Sequence, residues 1–349
     1  MKIEIYSPTI RRKEMDAVLT AMVEEKIGPG ERSRLLIQTA KEQLRFDYAL
    51  ALRSPAVALH LALKALGVQS GQAVILSALS PRYYLQVLQD LHLTPLFCDV
   101  TFDFPCMNKE LIENTINKKP EDLKVCAIVL HHTLGYMPDT AAITELGIPI
   151  IEDISQSYGS WLREEPSADG SQAKIDSLFC IVGLEERDML TSGGGALLFA
   201  MNRKDSAALR SFADITNEYC LPDINAALAV VQFKEVLRNI ERRRDIAELF
   251  IQASLRTRHK RFIPISETQY CNYSFSLILE TGLKDIVLYA RKKEIEIENA
   301  FEKTIAGAGL CGSCPVSNSL VLRTVLFPMY PRLRSQDVDR VSRLIMTLP

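Results

Sequence analysis

Short apolar runs recur through the first half of the chain, and residues typical of turns bound each of them. Segments with the apolar spacing of helices separate these runs. A strand that is apolar on both faces is typical of a parallel sheet covered by helices. The pattern therefore predicts a doubly wound α/β domain with seven strands, at 48–54, 73–78, 94–100, 125–132, 148–155, 177–182 and 195–200.

The pattern changes after residue 222. Residues 223–250 carry apolar side chains at intervals of three and four, with Asp223 at a position that suits an N-cap, so they predict one long helix. The segments that follow predict a strand, a helix and a helix, at 270–279, 283–295 and 335–348. We expect a large α/β domain over 1–240, with an N-terminal helix that could pack on the small domain, and a small α+β domain over 241–349.

Composition and charge exclude several classes of partner. The chain has 349 residues, and its 41 lysines and arginines nearly balance its 43 aspartates and glutamates, which gives a net charge of −2. Such a balance provides no overall field for nucleic acid or an anionic membrane. The amino-terminal segment has no apolar core of a signal peptide, and no apolar run approaches the length of a membrane span, so we expect a cytoplasmic protein.

The eight cysteines are scattered, and several of them lie in apolar runs, where a reduced thiol behaves as a small hydrophobic group. Cys311 and Cys314 form one CxxC pair. A zinc site needs further ligands at a suitable spacing, and His259 and Cys271 are distant in sequence. We therefore expect no metal site.

Polar residues follow several of the predicted strands. In doubly wound sheets, ligands bind outside the carboxyl ends of the strands. Ser54, His131, Asp153 and the loop at 183–193 lie at such ends. The sequence therefore predicts a cleft that these residues share.

The order of several segments resembles that of one known family. The stretches "ALHLALKALGVQSGQAVILSA", "IPIIEDISQSYGS", "GGGALLF" and "VLFPMYPRLRSQDVDRVSRLI" are similar to the DegT–StrS family of nucleotide-sugar aminotransferases, which are fold-type-I enzymes that use pyridoxal phosphate (PLP). The resemblance extends over essentially the whole chain. It implies a PLP-transferase fold, a homodimer and a place in sugar or polysaccharide biosynthesis.

Two residues of the family's cofactor site are retained. The family uses a carboxylate to hold the pyridinium nitrogen of PLP, which keeps the ring an electron sink. The stretch "IEDISQ" places Asp153 at that position, and Gln156 matches the glutamine that faces the ring.

The Schiff-base lysine of the family has no counterpart in the loop that should carry it. Counting from the strand before the loop or from the glycines after it places Glu186 or Arg187 at this position. Arginine stays protonated, and a carboxylate cannot form an imine. Lys174 precedes the strand and Lys204 follows the hairpin, so we expect neither to reach the site.

The phosphate site implied by the resemblance is also altered. The family's Ser-Gly-Thr turn at a helix amino terminus is Ser54, Pro55 and Ala56 here, which loses a hydroxyl and places proline where an N–H would be available. The asparagine that reaches the phosphate from the neighbouring subunit matches Glu218, and the arginine that follows matches Cys220.

The aromatic residue that stacks on the cofactor ring in the family falls near Ser80 and Pro81. Tyr83 or Tyr84 could substitute for it. Packing of both tyrosines on the following helix is the favoured alternative.

The preferred interpretation is a catalytically degenerate homologue that binds no PLP and acts as a binding or regulatory protein. The alternatives are a PLP-dependent nucleotide-sugar aminotransferase, or a sugar dehydratase that uses pyridoxamine phosphate (PMP) with histidine in place of lysine. The loop contains no histidine. A PLP-independent reaction that uses Asp153, His131 and Glu218 is a further possibility, and the cleft could hold a nucleotide sugar or another small anion.

Two structural expectations follow. Without a pyridinium, Asp153 should be held by a protein cation or donor, with Arg187 as the first candidate and His131 or His132 as the second. The segment 217–233 should cross the interface of a homodimer, or of a heterodimer with an active paralogue, so Leu221→Asp should weaken that interface.

Overall fold

The computed structural model describes residues 2–160, 177–265, 270–280 and 282–349. Seven strands form the main sheet in the order β1-β7-β6-β5-β4-β2-β3. Strand β7 is antiparallel to β1 and β6, and the other neighbours are parallel. The predicted seven-stranded, mostly parallel sheet is thus confirmed. Its strands are β1 (Tyr48–Leu52), β2 (Ala73–Ser77), β3 (Thr94–Cys98), β4 (Val125–His131), β5 (Ile150–Asp153), β6 (Phe179–Gly183) and β7 (Ala196–Ala200).

Helices cover both faces of this sheet. Every residue of β2, β5, β6 and β7 is buried, as the continuous apolar runs require. No helix in the described ranges is both apolar enough and long enough to cross a bilayer. The helices are α1 (Arg12–Val23), α2 (Glu31–Leu44), α3 (Pro55–Ala65), α4 (Tyr83–Asp90), α5 (Lys109–Lys118), α6 (Thr140–Thr144), α7 (Arg203–Arg210), α8 (Asp223–Ser254), α9 (Leu283–Lys292), α10 (Pro315–Arg323) and α11 (Ser335–Met346).

The long helix α8 begins as predicted, but Asp223 does not cap it. Pro222 occupies the N-cap of α8. The carboxylate of Asp223 instead accepts hydrogen bonds from the backbone N–H groups of Gly30, Arg32 and Ser33, at 2.9, 3.0 and 2.9 Å. These groups open α2, so Asp223 satisfies the free donors of a neighbouring helix rather than its own.

The small unit carries a three-stranded antiparallel sheet in the order β8-β10-β9, with β8 at Phe275–Ile278, β9 at Glu298–Asn299 and β10 at Thr324–Phe327. Ile3 joins its core and pairs with Ile295, while α1 packs on α8. Helix α8 is continuous across residue 240, and its buried Arg243 donates to the carbonyl oxygens of Tyr273 and Met329 at 2.7 and 3.0 Å. The division of the chain at 240 and 241 stays a prediction.

Candidate functional site

The carboxyl ends of β4, β5 and β6 meet at one edge of the sheet, where His131 pairs in register with Asp153 and Asp153 with Ile181. A cavity of ≈ 330 Å³ opens there. The small unit contributes the opposite wall. The cavity is lined by Pro55, Leu79, Pro81, Tyr83, His131, Thr133, Leu134, Asp153, Ser155, Gln156, Glu185, Arg187, Asp188, Tyr273, residues 298–304 and Leu326.

Asp153 is buried at the base of this cavity and is fully hydrogen-bonded. The hydroxyl of Tyr84 donates to Oδ2 at 2.5 Å, and the backbone N–H of Ser155 donates to Oδ1 at 3.0 Å, as does the Ser155 hydroxyl. His131 Nδ1 lies 3.5 Å from Oδ2. Burial opposes ionisation of this carboxyl, but His131 and the two hydroxyls hold its pKa below the usual value of an aspartate.

The expected partner of Asp153 was predicted only in part. Arg187 is wrong as the first candidate, because its guanidinium donates to Glu298 of β9 at 2.5 Å and its other face lies 5.6 Å from the ring of Tyr6. The competing carboxylate comes from the small unit, which the order of residues could not show. Of the second candidates, His131 lies beside Asp153, whereas His132 bonds Glu152 at 2.9 Å and Ser157 at 2.6 Å.

Asp188 is the residue of the charged loop that reaches the cavity beside Asp153, and the sequence reasoning missed it. Its Oδ2 accepts a hydrogen bond from the backbone N–H of Glu185 at 2.9 Å. A Cβ added at Gly183 would overlap Asp188 Oδ2 and lie 2.8 Å from Ser155 Oγ. Ser155 Oγ also accepts from the N–H of Gly183 at 2.7 Å, so this hydroxyl links Asp153 to the backbone of β6.

The surroundings of Asp153 and Asp188 give these two carboxyl groups very different pKa values. Burial, reinforced by the negative charge of Asp153, raises the pKa of Asp188 to about 8. One carboxyl therefore stays ionised while its neighbour holds a proton near neutral pH. Such a pair can bind a cation or can donate and accept a proton.

The Asp188→Asn variant is expected to gain stability relative to the wild type as pH rises. Folded Asp188 binds a proton up to about pH 8, whereas the unfolded residue loses it near pH 3.9. The folded state therefore binds the extra proton in this window, and the wild type loses stability as pH rises through it. Asparagine removes this loss.

We expect the two proteins to be similar near pH 4, and the difference to grow to a plateau above pH 8. Asp188 keeps part of its surface accessible, which screens its charge, so the plateau should be about 1–3 kcal/mol rather than the full shift. Urea unfolding at a series of pH values measures it. A difference that is constant across the series would show that Asp188 titrates normally.

The residues of the predicted phosphate turn are mostly used within the fold. Ser54 caps α3, and its hydroxyl accepts from the N–H of Val57 at 3.3 Å. Pro55 lines the cavity. Within the described part of the chain, the other predicted residues, Ser54, Ala56, Ser80 and Glu218, stand outside the cavity wall.

Glu218 is exposed, and its own backbone N–H and the Thr216 hydroxyl lower the pKa of its carboxyl. The backbone carbonyl of Glu218 accepts from the guanidinium of Arg53 at 2.9 Å. Its reach into a neighbouring subunit stays a prediction.

The structure also locates the predicted ring-facing glutamine and the two tyrosines that could stack on the ring. Gln156 lines the cavity, and its side-chain oxygen accepts from the N–H of Leu134 at 2.7 Å, which fixes the loop after β4. Tyr83 and Tyr84 begin α4 rather than packing on a helix that follows them; Tyr84 is in the core, and its hydroxyl reaches Asp153. Tyr83 lines the cavity, and its hydroxyl lies 3.4 Å from Asp153 Oδ2. Burial raises the pKa of both phenols, so both remain donors.

The structure locates the two residues at the family's lysine position and the lysines that could replace them. Glu186 is exposed, while Arg187 points to Glu298. Lys204 lies in α7, and Lys174 lies outside the described residues. Lys303, in the segment after β9, is the one lysine that lines the cavity within the described ranges.

The CxxC pair lies close to one helix of the small unit. Cys311 and Cys314 are buried at the start of α10. Where the structure describes the chain, no group of three His, Cys, Asp or Glu residues converges in a way that could hold a metal ion.

The fold is similar to that of solved enzymes. The aminotransferase TlmJ from Streptoalloteichus hindustanus has a TM-score of 0.84 at 20% identity, over 99% of this chain and 98% of that chain. Spr1654 from Streptococcus pneumoniae, a candidate sugar aminotransferase in its PMP form, has a TM-score of 0.87 at 18% identity, over 99% and 97%.

The E. coli GDP-4-keto-6-deoxy-D-mannose-3-dehydratase with bound hydrated PLP has a TM-score of 0.83 at 14% identity, over 99% of each chain. At such identities these three likenesses show the fold alone. The sequence match is more specific, because it extends over residues 8–346. This chain therefore belongs to the DegT/DnrJ/EryC1/StrS aminotransferase family.

Proposed function

We propose that this chain is a catalytically degenerate member of its family, which binds a small molecule beside Asp153 without forming a PLP aldimine. One observation carries the proposal. The Tyr84 hydroxyl donates to Asp153 Oδ2 at 2.5 Å, and this carboxylate is the one that the family resemblance assigns to the pyridinium. The hydroxyl of Tyr84 thus occupies the carboxylate oxygen that the pyridinium of PLP would need as its acceptor.

The loop beside Asp153 supports the same proposal. Asp188 presents a carboxyl group to the cavity in the loop where the family carries its lysine. A carboxyl group cannot form an imine with an aldehyde. Burial and the negative charge of Asp153 raise the pKa of this carboxyl to about 8.

The side of the cavity near α3 supports it further. The first turn of α3 offers few backbone donors, because Pro55 has no N–H and the N–H of Val57 already donates to the hydroxyl of Ser54. Five carboxyl groups line the described cavity against two basic side chains. A phosphate would meet net repulsion there, and low-dielectric walls strengthen it.

Incubation with excess PLP, followed by borohydride reduction and peptide mapping, tests the proposal. We expect no aldimine absorbance and no pyridoxyl adduct in the loop 183–193 or on Lys303. The matched control is Lys303→Gln. Adducts scattered over exposed lysines would leave the proposal standing, because PLP reacts with accessible amines.

A second candidate function is retained aminotransferase or PMP-dependent dehydratase chemistry. The observation that favours it is the position of Lys303 in the same cavity as Asp153 and Gln156. An aldimine absorbance band that Lys303→Gln abolishes, together with a reduced adduct on Lys303, would replace the proposal with this candidate. The family and its sugar-related relatives support a setting in nucleotide-sugar or polysaccharide biosynthesis in either case.

We also propose that the chain forms a homodimer. Met15, Leu19, Met22 and Val23 form one stripe along α1, and their exposed fractions run from 51% to 83%. An exposed apolar stripe of this kind is typical of an interface. A heterodimer with an active paralogue is the other outcome that the oligomeric state would distinguish.

A further inference from the structure

We propose that the Asp153 cavity binds a ring-sized primary ammonium ion, with the ammonium group at Asp188 and the ring against the apolar wall. This inference rests on the proposed function, because it requires a cavity that PLP does not fill.

The charge of the wall favours a cation. Among the described lining residues, the acidic side chains are Asp153, Glu185, Asp188, Glu298 and Glu302, and the basic ones are Arg187 and Lys303. Arg187 is engaged by Glu298 at 2.5 Å. Lys303 is exposed at the rim, so the inner part of the cavity keeps an excess of acidic groups.

One buried polar atom in the same wall has no hydrogen-bond partner in the described part of the chain. It is Thr133 Oγ1, on a residue that is 2% exposed. Buried polar atoms are normally paired, so this hydroxyl points to a ligand that carries a polar group.

A primary ammonium group suits this wall. It has three donors and no acceptor, and the hydroxyl of Thr133 and the carboxyl of Asp188 can both accept. The remainder of the wall is largely apolar, with Pro55, Leu79, Pro81, Leu134 and Phe301. The volume of ≈ 330 Å³ is at the small end of ligand sites, which fits a single ring rather than a whole nucleotide sugar.

Binding of a cation should release a proton. Without a cation, Asp188 stays protonated below about pH 8, and an ammonium ion favours its ionised form. The affinity should therefore rise with pH and level off above pH 8. The titratable and charged groups that face Asp188 are Asp153 of β5, Glu185 and Arg187 of its own loop, Tyr83 of α4, Tyr273 before β8, and Tyr6.

Titration calorimetry with matched probes tests the proposal. The pairs are cyclohexylamine with cyclohexanol, and glucosamine with glucose, so each ring is compared with and without its amine. We expect each amine to bind at least about tenfold more tightly than its neutral counterpart, and the better pair tells whether the ring is hydroxylated. Titrations in HEPES and in phosphate at pH 7 should differ in heat, because a proton is released.

Asp188→Asn should lower the affinity for the amines by about tenfold or more and abolish the released proton. Glu186→Gln, in the same loop but exposed and outside the cavity wall, is the matched control and should change the affinity much less. Equal binding of amine and alcohol, no binding of either, or amine binding that Asp188→Asn leaves unchanged would overturn the proposal. The PLP experiment distinguishes failure of the proposed function from failure of the ammonium site. An aldimine in that experiment rejects the proposed function, whereas the calorimetric results above reject only the ammonium site.

Discussion

Replacing Leu221 by aspartate is expected to unfold the protein rather than to split a dimer. Leu221 is fully buried in the core of its own chain, where its N–H donates to the carbonyl of Ala51 at 3.1 Å and its side chain packs over Gly195. An unpaired charge at this position should cost about 4 kcal/mol or more. That is a large part of the 5–15 kcal/mol that typically stabilises a domain.

Circular dichroism and urea unfolding measure this effect. Tyr219→Asp is the matched control, because Tyr219 is two residues away and 43% exposed, so its replacement should leave stability nearly unchanged. The dimer is tested instead with Leu19→Asp, on the exposed stripe of α1. A folded monomer from Leu19→Asp supports the proposed interface, whereas a folded, dimeric Leu221→Asp protein would contradict the burial argument.

Gly307→Ala is expected to have the second-largest effect. The glycine lies close to the backbone of the segment that closes the cavity, and an added Cβ would overlap the carbonyl oxygen of Phe301 and lie 2.6 Å from that of Glu302. Backbone atoms cannot rotate away as side chains can. We therefore expect a loss of about 3 kcal/mol, together with weaker binding at the cavity, because residues 298–304 form one of its walls.

Thermal unfolding of Gly307→Ala and Gly312→Ala separates the steric effect from a general effect of alanine. A Cβ at Gly312 would meet no atom within 4 Å, so this control should be close to the wild type. Equal stability of the two variants would mean that the segment around Phe301 adjusts freely.

The sequence was sufficient for the sheet and for the position of Asp153. Runs that are apolar at every position can be buried only between two layers, and an aspartate at the carboxyl end of such a strand must lie at the sheet edge. The resemblance to a family added the order of the elements. Neither argument depends on contacts between distant segments.

The predictions that were wrong depend on contacts between segments that are distant in sequence. Arg187 was assigned to Asp153 because both lie at the same sheet edge, but Glu298 arrives from the small unit, more than a hundred residues later. The interface position of Leu221 is predicted from the apolar helical pattern of its segment, yet Leu221 packs inward against β1 and Gly195. Asp188 had one local signal, since it directly precedes the buried pair Met189 and Leu190, which anchor the end of the loop in the core.

The continuity of α8 limits how a ligand can enter. Its 32 residues make a rod of roughly 48 Å, with one end in each core. Arg243, in the second half of this rod, donates to the carbonyl oxygens of Tyr273, just before β8, and Met329, just after β10. A hinge at residue 240 would have to break the helix. Widening the cavity would therefore require side chains at its rim to move, chiefly by separating Arg187 from Glu298.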